Sequence, residues 1–327
     1  MDQREESIIF CGDKSSGKTT IINRFLERTE NPKPTIALEY AYGRRTRGNV
    51  RDLVHIWELG GGTVLKNLLE IPLSASKIDR TSMIIVLDLS KLEEIWNTFY
   101  SITKVSRKII SEIAEELKIK SPAAYERFQQ RLQKFKTYKD VVPIDPFPIP
   151  LIIAGSKYDI FQNYEPEIRK ITYKYLRYMA HSNGASVQMF SHKLENTVLK
   201  MRAHIGHIAF GANIGKTIVT DYNKPLYVLP GKDSYTDIGT PPNADFVLSQ
   251  MNARNSADLW GDAFEAQFSS KKGEKKLEKK SNDDIIGDVQ FQDPDIDSLF
   301  EQKSKVVDLK AFIKRKRDRQ EPGGKLQ

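Results

Sequence analysis

An α/β fold, a mostly parallel sheet with helices on both faces, is predicted by three observations. Short β-branched runs alternate with helical repeats through residue 212. The stretch "GDKSSGKTT" at residues 12–20 matches G-x-x-x-x-G-K-[ST] and falls between a strand and a helix, the context its chemistry requires. Continuous apolar strands such as Ser82–Leu87 suit a sheet that is covered on both sides.

Each element follows from its local pattern. Ser7–Cys11 is a β-branched and aromatic strand that stops at Gly12, and Lys18–Arg28 is a helix with Ile21, Ile22, Phe25 and Leu26 at helical spacing. Ala37–Tyr42 and Leu53–Trp57 read as strands. The basic link Gly43–Arg51, with Gly48 and Asn49, reads as a hairpin turn, which makes this pair an antiparallel edge. After Ser82–Leu87, Leu92, Ile95, Trp96, Phe99, Ile102, Ile109, Ile113 and Leu117 keep a helical repeat. Ser121-Pro122 then starts a second helix. This pair is longer than a link between neighbouring strands needs, so 91–140 is an insertion into a domain spanning 1–212. "VVPIDPFPIP" (141–150) cannot be helical and returns the chain stiffly to the strand Leu151–Ala154. Glu165–His181 is a helix, Ala185–Phe190 a strand and Leu194–Phe210 a helix. Beyond them lie an extended post-domain segment, 213–244, and a flexible tail, 245–327. The tail carries a Lys-rich run, an acidic stretch and a possible amphipathic helix at 302–319 with Val306, Leu309, Phe312 and Ile313 on one stripe.

Bulk properties narrow the function. The chain has 327 residues and a formal net charge of +8, but its Lys runs lie mostly outside the candidate core and are not interleaved with aromatics. Stacking platforms for nucleic acid are therefore not expected. Cys11 is the one cysteine, so no disulfide framework exists and a reducing compartment is expected. The acidic start is no secretory signal, and runs such as Met83–Leu87 are too short for membrane insertion. A soluble intracellular protein is the expectation. Cys11 reads as a small buried hydrophobe, and Trp96 and Phe99 as insertion core. His204 and His207 read as a helix surface rather than a zinc site.

The loop carries the chemistry. Gly12 and Gly17 let the backbone turn so that the amides of Asp13, Lys14, Ser15 and Ser16 can face phosphate oxygens. Lys18 supplies a point charge, Thr19 a hydroxyl for Mg²⁺, and Thr20 continues into the helix, whose positive end adds to the site. In "HIWELGGG" (55–62) a strand ends in Glu58 before glycines, which suits a carboxylate serving the metal directly or through water. Asp88 ends a strand on the same sheet edge and is the rival. In "GSKYD" (155–159), Lys157 and Asp159 follow a strand where the carboxylate can accept from a guanine edge and the Lys stem can lie along the base.

These residues, together with "PTIALEYAYGRR" (34–45) and "LIIAGSKYDIF" (151–161), resemble the Ras-like P-loop NTPase fold, and within it the dynein light intermediate chain family, its dynein-2 branch above all. "SHK" (191–193) stands where Ras-like proteins carry a base-contacting Ser-Ala-Lys turn, and "KPLYVLPGKDSY" (224–235) resembles the family's post-domain segment. The resemblance covers residues 1 to about 240. It implies a site for GTP or GDP with Mg²⁺: Thr35 as the first-switch threonine joining Thr19 and Glu58 at the metal, Gly61 as the second-switch glycine, and Lys157 and Asp159 at the base. It also implies a non-catalytic subunit of cytoplasmic dynein 2. Such a subunit binds the dynein-2 heavy chain alongside the other intermediate and light chains and supports retrograde intraflagellar transport and cilium assembly. The implied places are cytoplasm, cilium and cytoskeleton. The docking face is expected on helices remote from the nucleotide edge, plus the post-domain segment. Three departures from the fold family matter. Gly62 stands where hydrolysing members carry a water-orienting Gln, Glu58 replaces an Asp, and Ser156 replaces the Asn of N-K-x-D. They favour binding over turnover; the alternative is a switch GTPase whose activator supplies the missing groups.

Overall fold

Ile8, Ile9 and Phe10 have no exposed surface, which puts β1 (Glu5–Gly12) in the middle of the sheet. The computed structural model describes residues 4–48, 50–133, 140, 144–215, 217–242, 256–268 and 298. The chain divides into a unit Met1–Glu274, described below, and a unit Lys275–Gln327, of which Ser298 alone is described.

β1 pairs in parallel with β3 (Val50–Leu59) on one side and β4 (Thr81–Asp88) on the other. Beyond β4, β5 (Leu151–Ser156) and β6 (Ser186–Met189) continue in parallel. Antiparallel strands close both edges: β2 (Leu38–Arg47) on β3, and β7 (Tyr227–Val228) on β6. The order is β2-β3-β1-β4-β5-β6-β7. Side chains alternate across the sheet as a strand's period dictates. Ile8 and Phe10 pack under α1 (Lys18–Phe25) and α6 (Glu195–Phe210), while Ile9 and Cys11 face α2 (Ile95–Lys120), α3 (Pro122–Gln133) and α5 (Pro166–Ser182). The predicted fold class is the one observed. Cys11 is fully buried, and burial pushes its thiol up to about 12. Among the described residues no helix is long and apolar enough to cross a membrane.

Four differences from the sequence expectations have physical causes. The hairpin pairs Arg47 with Val50, so Arg44 and Arg45 are strand residues rather than turn. Alternation through Tyr40, Tyr42 and their partners Trp57 and His55 carries the ladder further than residue type alone suggests. The segment after 212 does not stand apart, because β7 joins the sheet. Tyr173 fastens its start, donating through Oη to the Lys224 carbonyl at 2.6 Å and accepting from the Leu226 amide at 3.2 Å. Arg177 grips Asp233 with two nitrogens at 2.7 and 2.6 Å. Residues 256–268, expected in a flexible tail, form α8 (Ser256–Phe268), whose Trp260 stacks on Tyr178 at 4.2 Å between centroids and whose Phe264 is edge-on to Tyr175 at 4.9 Å. The helix expected at 302–319 lies outside the described residues. Finally, His204 is buried, not on a helix surface. It meets Ser186 Oγ at 3.2 Å and Gln188 Oε1 at 2.9 Å, and burial, then His207, pushes its pKa down to about 4. His207 is exposed, as expected.

Two measurements check this packing. Trp260→Ala should cost about 3 kcal/mol in denaturant unfolding; an unchanged midpoint would mean α8 is not part of the core. His204 binds a proton more readily in the unfolded chain. Stability should therefore fall as pH drops from 6.5 and level off below about 4, and His204→Asn should flatten that part of the profile.

Candidate phosphate-binding site

Because β1, β3, β4 and β5 run parallel, the loops after them gather along one edge. The first runs from Gly12 to α1. Gly12 has φ 144°, and a Cβ there would stand 2.2 Å from the Val86 carbonyl oxygen of β4, so nothing larger than hydrogen fits. Gly17 (φ 91°) caps α1 in the left-handed region, and Ser15 shares that conformation at φ 59°. Lys18, 5% exposed, folds back along the loop and donates to the carbonyls of Gly12 at 3.1 Å and Asp13 at 2.7 Å. An ammonium has three protons, which leaves one for an anion held at the start of α1. Burial holds the Lys18 pKa below its ordinary value, against the opposing pull of Glu58. Ser16 Oγ is buried with no hydrogen-bond partner. Thr20 lines a cleft of about 700 Å³ with Asn31 and His192.

The predicted metal residues are brought together. Thr19 Oγ1 donates to Glu58 Oε1 at 2.7 Å. Glu58 is 5% exposed; burial raises its pKa, while the Thr19 bond and Lys18 pull it back. Thr35 lies near enough to favour the carboxylate, yet its buried Oγ1 has no hydrogen-bond partner. Two hydroxyls and one carboxylate are the oxygen donors that a hard divalent cation takes, so the residues fit Mg²⁺. Glycines let this arrangement close. A Cβ at Gly60 would stand 2.3 Å from the Thr35 carbonyl oxygen, and one at Gly62, where φ is +64°, 2.7 Å from Asp13 Oδ1. Gly61, at φ +68°, is packed against Leu65.

Asp88, the rival metal carboxylate, is committed elsewhere. Its Oδ1 accepts from the Ser90 amide at 3.0 Å and hydroxyl at 2.7 Å, and its Oδ2 takes Lys157 Nζ at 2.5 Å. Lys157 is thereby tied to β4, in the left-handed conformation at φ 56°, just before α4 (Tyr158–Phe161). Asp159 accepts from Ser191 Oγ at 2.7 Å and Lys193 Nζ at 2.8 Å. Burial raises its pKa, but these two partners outweigh burial and hold it below the usual carboxylate range. Ser156 Oγ points into the sheet, donating to the Leu87 carbonyl at 3.1 Å.

Sequence reasoning missed one participant, Glu94, and one pairing, that of Ser191 with Asp159. Asp13 accepts from the Lys14 amide at 2.7 Å and lies against Glu94, whose carboxyl burial and then Asp13 push up. Glu94 belongs to the start of the helical insertion, and no motif pointed to it. Ser191 was visible as the first residue of "SHK", though not as the partner of Asp159.

Comparison with known proteins agrees with this fold. A family model described as "Dynein light intermediate chain (DLIC)" matches residues 3–149. The chain is 41% identical over 308 residues to the cytoplasmic dynein 2 light intermediate chain 1 of Bos taurus, covering 93% of this chain and 87% of that one. It is 39% identical to the Homo sapiens protein of the same name, covering 91% and 85%. Among solved structures, the conserved domain of a dynein light intermediate chain superposes with a TM-score of 0.57 at 16% identity, covering 80% of this chain and 98% of that one, which shows a shared fold.

The Glu58 environment predicts a pH signature. Its folded pKa lies above the unfolded 4.5, so its contribution to stability is present below 4.5 and is lost as pH rises through the folded value. In metal-free and nucleotide-free protein, Glu58→Gln should raise the melting temperature at neutral pH, with the gain shrinking on acidification. A lower melting temperature at neutral pH would show that the Thr19 and Lys18 contacts outweigh desolvation.

Proposed function

The chain belongs to the dynein light intermediate chain family, and we propose that it is a non-catalytic subunit of the cytoplasmic dynein 2 motor whose phosphate loop holds a nucleotide as part of its architecture. The observation that carries the non-catalytic reading is the glycine at residue 62, held at φ +64° beside the phosphate loop. It has no side chain with which to aim a water, and its backbone conformation is one that side chains rarely adopt. Positioning groups of that kind supply orders of magnitude in phosphoryl transfer.

In this reading GTP or GDP is gripped by Lys18 and the amides of residues 13–18. Mg²⁺ is held by Thr19, Thr35 and Glu58, and the base lies beside Lys157 and Asp159. The bound ion neutralises phosphate charge; Lys18 and the start of α1 do the rest of that work from the protein side. The names of the relatives, light intermediate chains of cytoplasmic dynein 2, support a place in that motor. The proposal extends from there to the dynein-2 heavy chain as first partner, with the other intermediate and light chains, and to a role in retrograde intraflagellar transport and cilium assembly, in cytoplasm, cilium and cytoskeleton. A switch cycle would require an activator to bring the missing group.

The test separates the two halves of this reading. Protein purified without added nucleotide should release a purine nucleotide on denaturation, and Lys18→Ala should release none. Single-turnover GTP cleavage by the wild type should be no faster than by Lys18→Ala, and the wild type should co-purify with co-expressed dynein-2 heavy-chain tail. Fast cleavage would refute the structural role of the nucleotide, and failure to co-purify would refute the subunit assignment.

A further inference from the structure

β2 offers something neither the phosphate loop nor the two cores use. It is an edge strand 10 residues long, and its outer side pairs with no strand among the described residues. Its two faces differ. On the side opposite α1 and α6, Tyr40 and Tyr42 stay 50% and 49% exposed, with the Arg44 guanidinium 5.0 Å from the Tyr42 ring. On the other side, Arg45 lies 5.8 Å from the Phe210 ring, which stacks on Phe25 at 6.3 Å. There a cleft of about 680 Å³ opens between β2, the end of α1 and α6, lined among others by Arg28, Arg44, Arg45 and Arg202. Its one acidic lining residue is Glu27, which holds the left-handed conformation at φ 57° and pairs with Arg202. Among the described residues no carboxylate pairs with Arg28, Arg44 or Arg45.

We infer that an extended acidic segment of a partner protein adds as a strand to the outer edge of β2. Alternate side chains of an added strand point to opposite faces. Acidic residues at every second position would then meet Arg28, Arg45 and Arg202, and the residues between them would lie over Tyr40 and Tyr42. Guanidinium forks bind carboxylates with two bonds, and Tyr and Arg are the residue types that anchor interfaces. A nucleic acid or an anionic lipid would satisfy the arginines but leave the row of main-chain N–H and C=O groups unanswered; only another backbone pairs with both. Glu27 acts as the resident competitor for Arg202. Neither the cleft nor β2 contains a residue of the phosphate loop, so this inference stands or falls apart from the nucleotide reading.

The probe is a fluorescein-labelled peptide of the length of β2, alternating Glu and Thr, titrated by anisotropy into the full chain at low salt. Binding is expected, with amide-exchange protection confined to Leu38–Arg47. Arg28→Glu combined with Arg45→Glu should weaken it about tenfold or more. Glu27→Gln should tighten it. A peptide of the same composition with its Glu residues in adjacent pairs should bind more weakly, because half its charges face the tyrosines. Melting curves of the variants confirm that they are folded. The inference is overturned by no binding, by equal affinity for the two peptides, by charge reversals without effect, or by a protection pattern that leaves β2 unchanged. Tighter binding to a thymidine oligonucleotide or to phosphatidylserine vesicles through the same arginines would overturn it too.

Discussion

The whole functional edge of this protein depends on a single steric allowance: at residue 12 the chain passes so close to the Val86 carbonyl that only a hydrogen atom fits on its outer side. That allowance lets β1 leave the sheet between two parallel neighbours and turn at once into α1. Lys18 can then reach back to the carbonyls of Gly12 and Asp13, and Thr19 lands against the last acidic residue of β3. With any larger residue the end of β1 would have to retreat from Val86 of β4, and the loop that follows would move with it.

A second theme is that this edge is held by its own side chains. Asp88 holds Lys157, Ser191 and Lys193 hold Asp159, and Glu58 holds Thr19. Such internal pairing orders the loops in advance, so that a ligand meets a formed surface and loses less affinity to loop ordering. The triple glycine adds closure: Gly60 lies against the Thr35 backbone, Gly61 against the Leu65 side chain and Gly62 against the Asp13 carboxylate.

Much of this was legible in the sequence, and the limits of legibility were physical. Central strands announce themselves because burial on both faces requires unbroken β-branched runs, as in Ser82–Leu87. The phosphate loop announces itself because few residue types tolerate its turns. β7 was hidden because two residues carry no periodicity, and its place is set by a tyrosine hydroxyl of α5 rather than by its own pattern. α8 was hidden by its neighbourhood: the spacing of Trp260, Phe264 and Phe268 is helical, but the polar and Lys-rich sequence around it dominates any composition average. Asp88 is held by a lysine from another strand's loop, a fact no local window contains. His204 was misread because two polar core residues, Ser186 and Gln188, give a buried imidazole what water gives an exposed one.

The docking of α8 has a practical consequence for dissecting this chain. Trp96, Tyr175 and Tyr178 form an aromatic shelf that Trp260 and Phe264 roof over, with Gly261 pressed against the Trp96 indole. A fragment that stops after the last sheet strand, β7, would keep the shelf and lose the roof. Such a fragment would offer sticky rings to whatever it met, and a pull-down with it would report adhesion that the complete polypeptide does not possess.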